Sequence, residues 1–259
     1  MCRMIAAVKS SGIGKALFTK IWDGLRDMAN DQTFKHELHD HHNLEPGEYK
    51  HGDGWGCSWL RPDNSLKSYH NLVPIWQDTP SGELIEEISS SPFLMIHARK
   101  ASPGFAVTEE YCHPFIRESP LLGKAAFAHN GTIEEFDQFK FSNKYIPRIR
   151  SDTERFFYAA LTNLEKISNP REELLNEVIT NLPRYSGANF FLFMERENEL
   201  WASRNYTAHE RFLSLYYLVK NDFLVISSEK ICSLGNSWVN LENHQLIKVN
   251  IQNSEISIY

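Results

Sequence analysis

The residue whose type and position most clearly suit a chemical reaction is Cys2, which directly follows Met1. An aminopeptidase that removes Met1, as the small side chain of Cys2 allows, leaves a thiol and a free α-amino group on neighbouring carbon atoms. An α-amino group titrates at about 7.7 to 8.0 and a thiol at about 8.5, so the amine can accept the thiol proton near neutral pH. One residue would then hold both a nucleophile and its base. Read alone, Met-Cys is more typical of an ordinary small residue that opens a buried strand.

Polar groups with matching chemistry follow two apolar runs further along the chain. The run FLMIH at 93–97 precedes Arg99, and the run AAFA at 125–128 precedes Asn130 and Gly131. Arg99 could hold a carboxylate through two parallel hydrogen bonds, and the Asn130 amide and the Gly131 N–H could donate to an oxyanion. Taken singly, Arg99 is more typical of a surface charge, and Asn-Gly after a strand is more typical of a hairpin turn.

A predicted helix start supplies a further carboxylate. Ser151 has the pattern of an N-cap, and Glu154 three residues later completes a capping box, so a helix is predicted over 151–167. Asp152 then lies in the first turn, where it could stabilise the helix dipole or bind a substrate ammonium group. Arg99 and Asp152 side by side would together bind an α-amino acid.

The elements that must position these groups are predicted from the spacing of apolar residues. Alternating or continuous apolar runs predict strands, and three- and four-residue spacing predicts helices. The predicted strands cover 2–8, 57–60, 93–97, 125–128, 188–194, 199–204, 212–219, 223–227 and 245–251, and the predicted helices cover 13–29, 82–89, 151–167 and a segment that begins at Pro170. This order predicts an α+β chain with helices covering sheets, and no repeat or linker divides residues 1–259, so one domain is expected.

The segment 36–56 is rich in His, Asp and Gly and has no sustained periodicity, so it is predicted to be a loop or two short turns. His36, His39, His41 and His42 could offer imidazoles to a metal ion. Because histidine spacing on an unstructured stretch fixes no ligand geometry, a solvated loop is favoured over a metal site.

Composition excludes several classes of protein. Hydrophobic residues make up 42% and charged residues 23% of the chain, as in soluble globular domains. A net charge of -6 without a long basic run argues against nucleic acid, and no apolar run is long enough to cross a membrane. The start lacks the pattern of a signal peptide, so the cytoplasm is predicted. Four scattered cysteines without a CxxC pair predict reduced thiols, and neither a metal nor a cofactor is expected.

Taken together, these residues resemble the class II glutamine amidotransferases, which belong to the N-terminal nucleophile hydrolases. The resemblance rests on Met1-Cys2 and on three segments in the family's order, HARKAS at 97–102, FAHNGT at 127–132 and SDTE at 151–154. DGWG at 53–56 and HPF at 113–115 further resemble the stand-alone, bacterial-type subgroup. These motifs lie within the first 154 residues, and each is weak on its own but specific in combination.

The resemblance implies a four-layer αββα sandwich, in which two antiparallel sheets face each other between outer helices. It also implies that Cys2 is the nucleophile and that its own α-amino group is the base. Asn130 and the N–H of Gly131 would form the oxyanion hole.

The resemblance further implies how a glutamine substrate is held. Arg99, helped by Ser102, would bind the α-carboxylate, and Asp152 would bind the α-ammonium. The family's larger members often have an aromatic residue after the arginine, whereas Lys100 stands there in this chain. This departure affects any contact that the aromatic residue makes with a loop closing over the active site in those members.

The implied reaction is attack of the Cys2 thiolate on a γ-carbonyl, followed by hydrolysis of the γ-glutamyl thioester by water. Two enzymatic readings follow. The chain could act as a glutaminase-like subunit that gives ammonia to a separate acceptor protein, or it could hydrolyse a γ-glutamyl peptide or thiol conjugate. A lesser alternative is a protein of the same fold that binds a small molecule or a metal without catalysis. The sequence leaves the leaving group and the oligomeric state open.

Overall fold

The computed structural model of the protein describes residues 2–166, 169–220 and 222–259. Its strands are β1 Arg3–Val8, β2 Trp55–Leu60, β3 Leu66–Asn71, β4 Phe93–Ala98, β5 Phe115–Ser119, β6 Gly123–Ile133, β7 Tyr185–Met194, β8 Glu199–Ser203, β9 Tyr216–Lys220, β10 Phe223–Ser227, β11 Val239–Asn240, β12 Leu246–Asn250 and β13 Ile256–Ile258. Its α-helices are α1 Lys15–Ala29, α2 Glu37–His42, α3 Gly82–Ser90, α4 Asp152–Leu164 and α5 Arg171–Thr180.

The strands form two antiparallel sheets. The first sheet has the strand order β11-β9-β10-β1-β4-β2-β3, and the second has the order β13-β12-β8-β7-β6-β5. Strand β1 lies in the interior of the first sheet, between β10 and β4. Strand β6 pairs with β5 and β7 in the second sheet. The N-terminus of the chain therefore enters the structure through a central strand.

Strand β1 shows how alternating side chains build the layers. Ile5 and Ala7 belong to the apolar core between the first sheet and helix α1, whereas Met4, Ala6 and Val8 belong to the core between the two sheets. Successive side chains of a strand point to opposite faces, so a continuous apolar run is what a strand buried on both faces needs.

The second sheet is covered on its outer face by helices α4 and α5. Phe127 of β6 stacks on Phe157 of α4 with ring centroids 5.0 Å apart. Phe190 of β7 and Phe156 of α4 belong to the same core. Full burial of one such side chain stabilises the fold by about 1.5–3 kcal/mol. With α1 on the first sheet and α4 on the second, the fold is the αββα sandwich that the family resemblance implied.

Several predicted elements agree with the structure to within a few residues. The predicted helix 13–29 begins at Lys15, because Gly14 precedes it with a φ of 74°, outside the helical region. Strand 223–227 and helix 82–89 match closely. Helix 151–167 ends at Leu164, and Ile167 lies outside the described residues. No helix in the described part of the chain is long and apolar enough to cross a membrane.

The hairpin turn predicted at Asn130-Gly131 is wrong. Strand β6 continues through both residues to Ile133, and they pair with Asn189 and Ala188 of β7. Asn-Gly reads as a turn only where the chain reverses, and here the neighbouring strand extends the pairing instead.

Three other expectations need correction. Residues 37–42, expected in a loop, form helix α2. Strand β3 is not among the predicted strands, because its sequence LKSYHN is mostly polar. In the segment 212–219 only the part from Tyr216 onward is a strand, although Phe212 is fully buried.

Candidate active site

Cys2 lies immediately before β1 and is 7% exposed. Its backbone nitrogen donates a hydrogen bond to Oδ1 of Asn130 at 2.7 Å, and its sulfur lies 3.8 Å from the carbonyl oxygen of Lys100. Asn130 belongs to β6 in the second sheet, whereas Cys2 leads into the first sheet. The nucleophile predicted from the sequence thus lies where the two sheets meet.

A cavity of about 320 Å³ opens beside Cys2. Its walls come from the start of β1, the segment after β4, the end of β6 and the start of α4. The sequence-predicted residues that line it are Cys2, Arg99, Ser102, Gly131 and Asp152. The sixth, Asn130, is linked to the cavity through its hydrogen bond with Cys2. The fold therefore brings together residues that are up to 150 positions apart in sequence.

Asn130 is fully buried, yet its amide nitrogen Nδ2 has no hydrogen-bond partner among the described residues. The oxygen of the same amide is used by the Cys2 nitrogen. A buried donor without an acceptor costs about 1–3 kcal/mol. A donor that is buried next to Cys2 without a partner has the chemistry needed to hydrogen-bond an oxyanion.

Gly131 lies opposite Ala188 of β7 in the pairing of β6 with β7. A Cβ atom at this position would lie 1.8 Å from the carbonyl oxygen of Gly187, so no side chain fits. Because Gly131 also lines the cavity, its backbone is exposed to whatever the cavity binds.

Asp53 and Gly54, which directly precede β2, hold the backbone of Arg99 in position after β4. The Arg99 N–H donates to the carbonyl of Gly54 at 2.8 Å, and the Arg99 carbonyl accepts from the N–H of Asp53 at 3.0 Å. The carboxylate of Asp53 also accepts the N–H of Ala101 at 2.7 Å. These two residues thus fix the backbone that carries Arg99, although they do not line the cavity themselves.

Arg99 lines the cavity, and its guanidinium nitrogen Nη1 has no hydrogen-bond partner among the described residues. Arg99 is 6% exposed, and its guanidinium carbon lies 5.4 Å from the ring centre of Tyr111. Within the described part of the chain, Nη1 is buried and makes no hydrogen bond. A buried cation with an unused donor is suited to an anionic ligand.

Asp152 begins helix α4 and is half-buried. Its Oδ2 accepts the N–H of Ile133 at 3.1 Å, and its Oδ1 accepts the N–H of Thr153 at 2.8 Å. Ser151 caps the helix by accepting the N–H of Glu154, but the Glu154 carboxylate does not complete the predicted capping box. It pairs with Arg117 at 2.6 Å instead.

Three buried histidines lie at this cavity: His113 and His129 line it, and His97 contacts His113. His113 Nδ1 lies 3.1 Å from His97 Nε2, and His129 Nδ1 lies 3.0 Å from Oγ1 of Thr153. Burial lowers the pKa of His97 to about 3, and it also lowers the pKa values of His113 and His129. These imidazoles are therefore neutral near pH 7, so they add no positive charge to that of Arg99 and Lys100, which also line the cavity.

Sequence reasoning missed several residues of the cavity. Some of them directly follow predicted residues in the chain and could have been inferred from that position, whereas Phe105, Tyr111 and Phe136 come from irregular segments without a periodic signal. The lining residues not predicted are Lys100, Ala101, Phe105, Tyr111, His113, His129, Thr132, Ile133, Glu134, Phe136, Ser151 and Thr153.

Lys100 directly follows Arg99 and also lines the cavity. Its ammonium nitrogen lies 4.5 Å from the ring centre of Tyr49 and donates to the carbonyl oxygen of Lys50 at 3.0 Å. The Lys100 side chain thus connects the segment after β4 to the segment that precedes β2.

The sandwich of two antiparallel sheets between helices is the fold type of the N-terminal nucleophile hydrolases. The family described as "Glutamine amidotransferases class-II" matches residues 25–221, which is more than half of the 259 residues. The chain belongs to the class II glutamine amidotransferases. The matched residues begin after Cys2, so the role of that residue is not part of the match.

Solved structures show the same fold. A glutamine phosphoribosylpyrophosphate amidotransferase from B. subtilis, complexed with ADP and GMP, has a TM-score of 0.67 and 15% identity over 100% of this chain and 49% of its own. A class-II glutamine aminotransferase domain protein from Silicibacter pomeroyi has a TM-score of 0.56 and 15% identity over 99% of this chain and 98% of its own. A predicted glutamine amidotransferase from Pseudomonas aeruginosa has a TM-score of 0.53 and 16% identity over 99% of this chain and 95% of its own.

These identities support a likeness of fold alone. The chain spans about half the length of the B. subtilis enzyme and nearly the full length of the other two proteins. No curated protein matches the sequence.

Proposed function

We propose that this protein cleaves the γ-amide of glutamine or of a γ-glutamyl compound through a thioester on Cys2. The observation that carries the proposal is the pair formed by Cys2 and Asn130. The Asn130 oxygen holds the Cys2 nitrogen at 2.7 Å, while its amide nitrogen is buried and unused among the described residues. This pair supports the proposal because it puts a thiol and an unused hydrogen-bond donor next to each other at the edge of the cavity.

The reaction begins with removal of Met1, which lies outside the described residues. The α-amino group of Cys2 accepts the thiol proton, and the thiolate forms a bond to the γ-carbonyl carbon. The oxyanion accepts hydrogen bonds from Asn130 Nδ2 and the N–H of Gly131. When the tetrahedral intermediate collapses, the C–N bond breaks and the ammonium of Cys2 protonates the leaving nitrogen. Water then adds to the thioester, and the thiol and a free γ-carboxylate are released.

The glutamyl end of the substrate is held by two opposite charges in this proposal. Arg99 binds the α-carboxylate with the help of Ser102, and Asp152 binds the α-ammonium. The unused donor on Arg99 and the position of both residues on one cavity of about 320 Å³ support this assignment. A cavity of this volume is at the small end of ligand sites, which fits a single amino acid with a modest extension.

Hydrolysis of a γ-glutamyl conjugate is a second candidate, favoured by the aromatic part of the cavity wall. Phe105, Tyr111 and Phe136 line the cavity together with the charged residues. Release of ammonia alone needs no apolar wall, whereas a peptide or thiol leaving group could bury its carbon atoms there. If ammonia is the product, a separate acceptor protein would be its partner.

Intact-mass spectrometry with 6-diazo-5-oxonorleucine, an electrophile that mimics glutamine, tests the proposal. We expect a chain without Met1 that carries one adduct on Cys2, and we expect excess glutamine to slow its formation. Cys2→Ala should carry no adduct and should unfold at the same temperature as the wild type. Cys232→Ala is the matched control, because Cys232 is the exposed thiol, and it should be labelled like the wild type. Full turnover by Cys2→Ala would overturn the proposal.

The two candidate substrates are distinguished by product analysis. Ammonia released from free glutamine by the wild type, and not by Cys2→Ala, supports the glutaminase reading. Release of an amine only from γ-glutamyl peptides supports the conjugate hydrolase.

A further inference from the structure

A second buried polar cluster lies outside the active-site cavity, where helix α1 gives way to α2. Asp31, His36 and His39 are 4%, 0% and 0% exposed. Each offers one ligand atom, and these atoms all lie within 4.8 Å of one another. None of the three lines the cavity beside Cys2, and the proposed reaction does not use them. Their burial therefore needs a separate explanation.

His36 is the member of this cluster whose hydrogen-bonding capacity is not used within the described structure. Neither of its ring nitrogens makes a hydrogen bond to the described residues, although the side chain is fully buried. Its Nε2 lies 3.7 Å from Oδ1 of Asp31, which is too far for a hydrogen bond. Two atoms that bind one zinc ion at about 2.0–2.1 Å lie about 3.4 Å apart in a tetrahedron. The observed separation is closer to that of two ligands of a shared ion.

In one of its two tautomers, His39 offers the lone pair of Nε2 to a metal ion and still makes a hydrogen bond through Nδ1. Its Nε2 lies 2.8 Å from Oδ2 of Asp31, and its Nδ1 lies 3.2 Å from the nitrogen and 3.3 Å from the carbonyl oxygen of His36. In one tautomer Nε2–H donates to Asp31, and Nδ1 accepts the His36 N–H. In the other tautomer Nδ1–H donates to the His36 carbonyl, and Nε2 is free to bind a metal. Histidine ligands of metal ions usually donate their second N–H in this way.

The carboxylate of Asp31 is already oriented by the backbone. Its Oδ2 accepts the N–H of Gly47 at 2.7 Å and the N–H of Tyr49 at 3.0 Å. The other oxygen, Oδ1, faces His36. Hydrogen bonds of this kind fix the carboxylates that bind metal ions.

Charge also favours a cation at this position. The nearby buried Arg3 is paired with Glu229 at 2.8 Å. In the part of the chain that the structure describes, the side chains within ion-pair distance of Asp31 are His36 and His39 only. A bound cation would complement the charge of Asp31 directly, whereas Arg3 acts on Asp31 only from beyond ion-pair distance and is itself paired with Glu229.

We propose that Asp31, His36 and His39 bind a divalent first-row transition metal, with zinc as the reference ion. Two imidazoles and one carboxylate are ligands that such ions accept, and they leave a fourth position open. The site would join the end of α1 to α2 and to the segment around Tyr49, which leads into the residues before β2 that hold the backbone of Arg99. The metal would thus stabilise the support of the active site from outside the cavity.

Calorimetric titration with zinc chloride tests this site. The chelator-treated full-length Cys2→Ala protein is the reference, because a free N-terminal cysteine could bind zinc itself. We expect one zinc ion per chain and a loss of affinity of about 100-fold or more in His36→Gln and in Asp31→Asn within that background. His41→Gln and His42→Gln, which change exposed residues of the same helix, are the matched controls and should bind like the reference. Undiminished zinc binding by His36→Gln, or no zinc binding by the reference protein, would overturn the proposal.

A second measurement guards against misfolded variants. Cobalt bound to the reference protein should give the visible absorption of a tetrahedral site with nitrogen and oxygen ligands, and zinc should displace it. Zinc should raise the Tm of the reference protein but not that of His36→Gln, because only a bound ion stabilises the folded state by mass action. If His36→Gln does not fold, the cobalt spectrum of the reference protein decides, and its absence would contradict the site.

Discussion

The Asn130 side chain accepts a hydrogen bond from the backbone nitrogen of Cys2 at 2.7 Å, and this contact determines which atom of the Asn130 amide is used. Because the Cys2 nitrogen is the donor, the Asn130 oxygen must be the acceptor, and Nδ2 becomes the free donor. One side chain of the second sheet thereby positions the residue that directly precedes β1 of the first sheet and presents a hydrogen-bond donor beside it.

Two substitutions of Asn130 separate these roles. Asn130→Asp keeps an acceptor for the Cys2 nitrogen but removes the donor, and Asn130→Ala removes both. If the donor stabilises the oxyanion, both variants should lower kcat by about 10²–10³-fold with little change in KM. Steady-state kinetics on glutamine, or on whichever γ-glutamyl substrate is turned over, checks this. Wild-type kcat in Asn130→Asp would exclude the donor role.

Asp152→Asn tests the assignment of the ammonium site. The amide oxygen can still accept one of the backbone N–H groups that Asp152 holds, but the negative charge is lost. A hydrogen bond to a charged group contributes about 1.5–3 kcal/mol, so kcat/KM should fall by about 10–100-fold.

The informative comparison uses 4-carbamoylbutanoate, which is glutamine without its amino group. The wild type should prefer glutamine strongly, and Asp152→Asn should lose most of that preference. An unchanged preference in the variant would place the ammonium elsewhere. Arg61→Lys, which changes a residue outside the cavity lining, should behave as the wild type.

The layers of the fold were predictable because burial on both faces leaves a clear signal. Strands β1, β4 and β10 are continuous apolar runs, and α1 has apolar residues at helical spacing. Strand β3 could not be predicted in the same way, since it lies at the edge of the first sheet and most of its side chains are polar. Helix α2 is only six residues long, which is too short for periodicity to be visible.

The candidate site was predictable as a set of residues but not as an arrangement. The family resemblance singled out Arg99, Asn130 and Asp152, yet Asn130 was expected in a turn and lies inside β6. Local sequence cannot reveal the pairing of β6 with β7, because that pairing joins residues about 60 positions apart. The unused donors of Asn130 and Arg99 became apparent only when their surroundings were known.

Gly131→Ala should fail for a packing reason that is independent of catalysis. The new Cβ would lie 1.8 Å from the carbonyl oxygen of Gly187, so β6 and β7 would have to separate. We expect the free energy of unfolding to fall by about 3 kcal/mol or more, since overpacking that moves backbone lies at the upper end of such costs. Urea denaturation followed by circular dichroism measures this change.

Gly82→Ala is the matched control for that substitution. Gly82 begins α3, and a Cβ atom there meets nothing within 4 Å. Alanine is favoured over glycine in a helix by up to about 1 kcal/mol, so this variant should be as stable as the wild type or slightly more stable. Equal stability of the two variants would contradict the proposed close contact at Gly131.

The buried His97 should make the protein less stable in acid. Burial lowers its pKa to about 3, whereas an unfolded histidine titrates near about 6.5. As the pH falls from about 6.5 towards 3, the unfolded chain therefore takes up a proton that folded His97 refuses. The stability present above pH 6.5 is lost over this range by up to about 1.4 kcal/mol per pH unit for one such group. The groups that face His97 are His113, the carbonyl of His129 and the Arg99 charge.

Urea denaturation of the wild type and of His97→Gln between pH 7 and pH 4 measures this contribution. Carboxylates titrate in both proteins, so the difference between the two slopes isolates His97. We expect the unfolding free energy of His97→Gln to depend less steeply on pH, with about one proton fewer taken up on unfolding. Because burial also lowers the pKa of His113, the double variant with His113→Gln should take up about two protons fewer than the wild type on unfolding. Identical slopes in all three proteins would show that these histidines are protonated in the folded state.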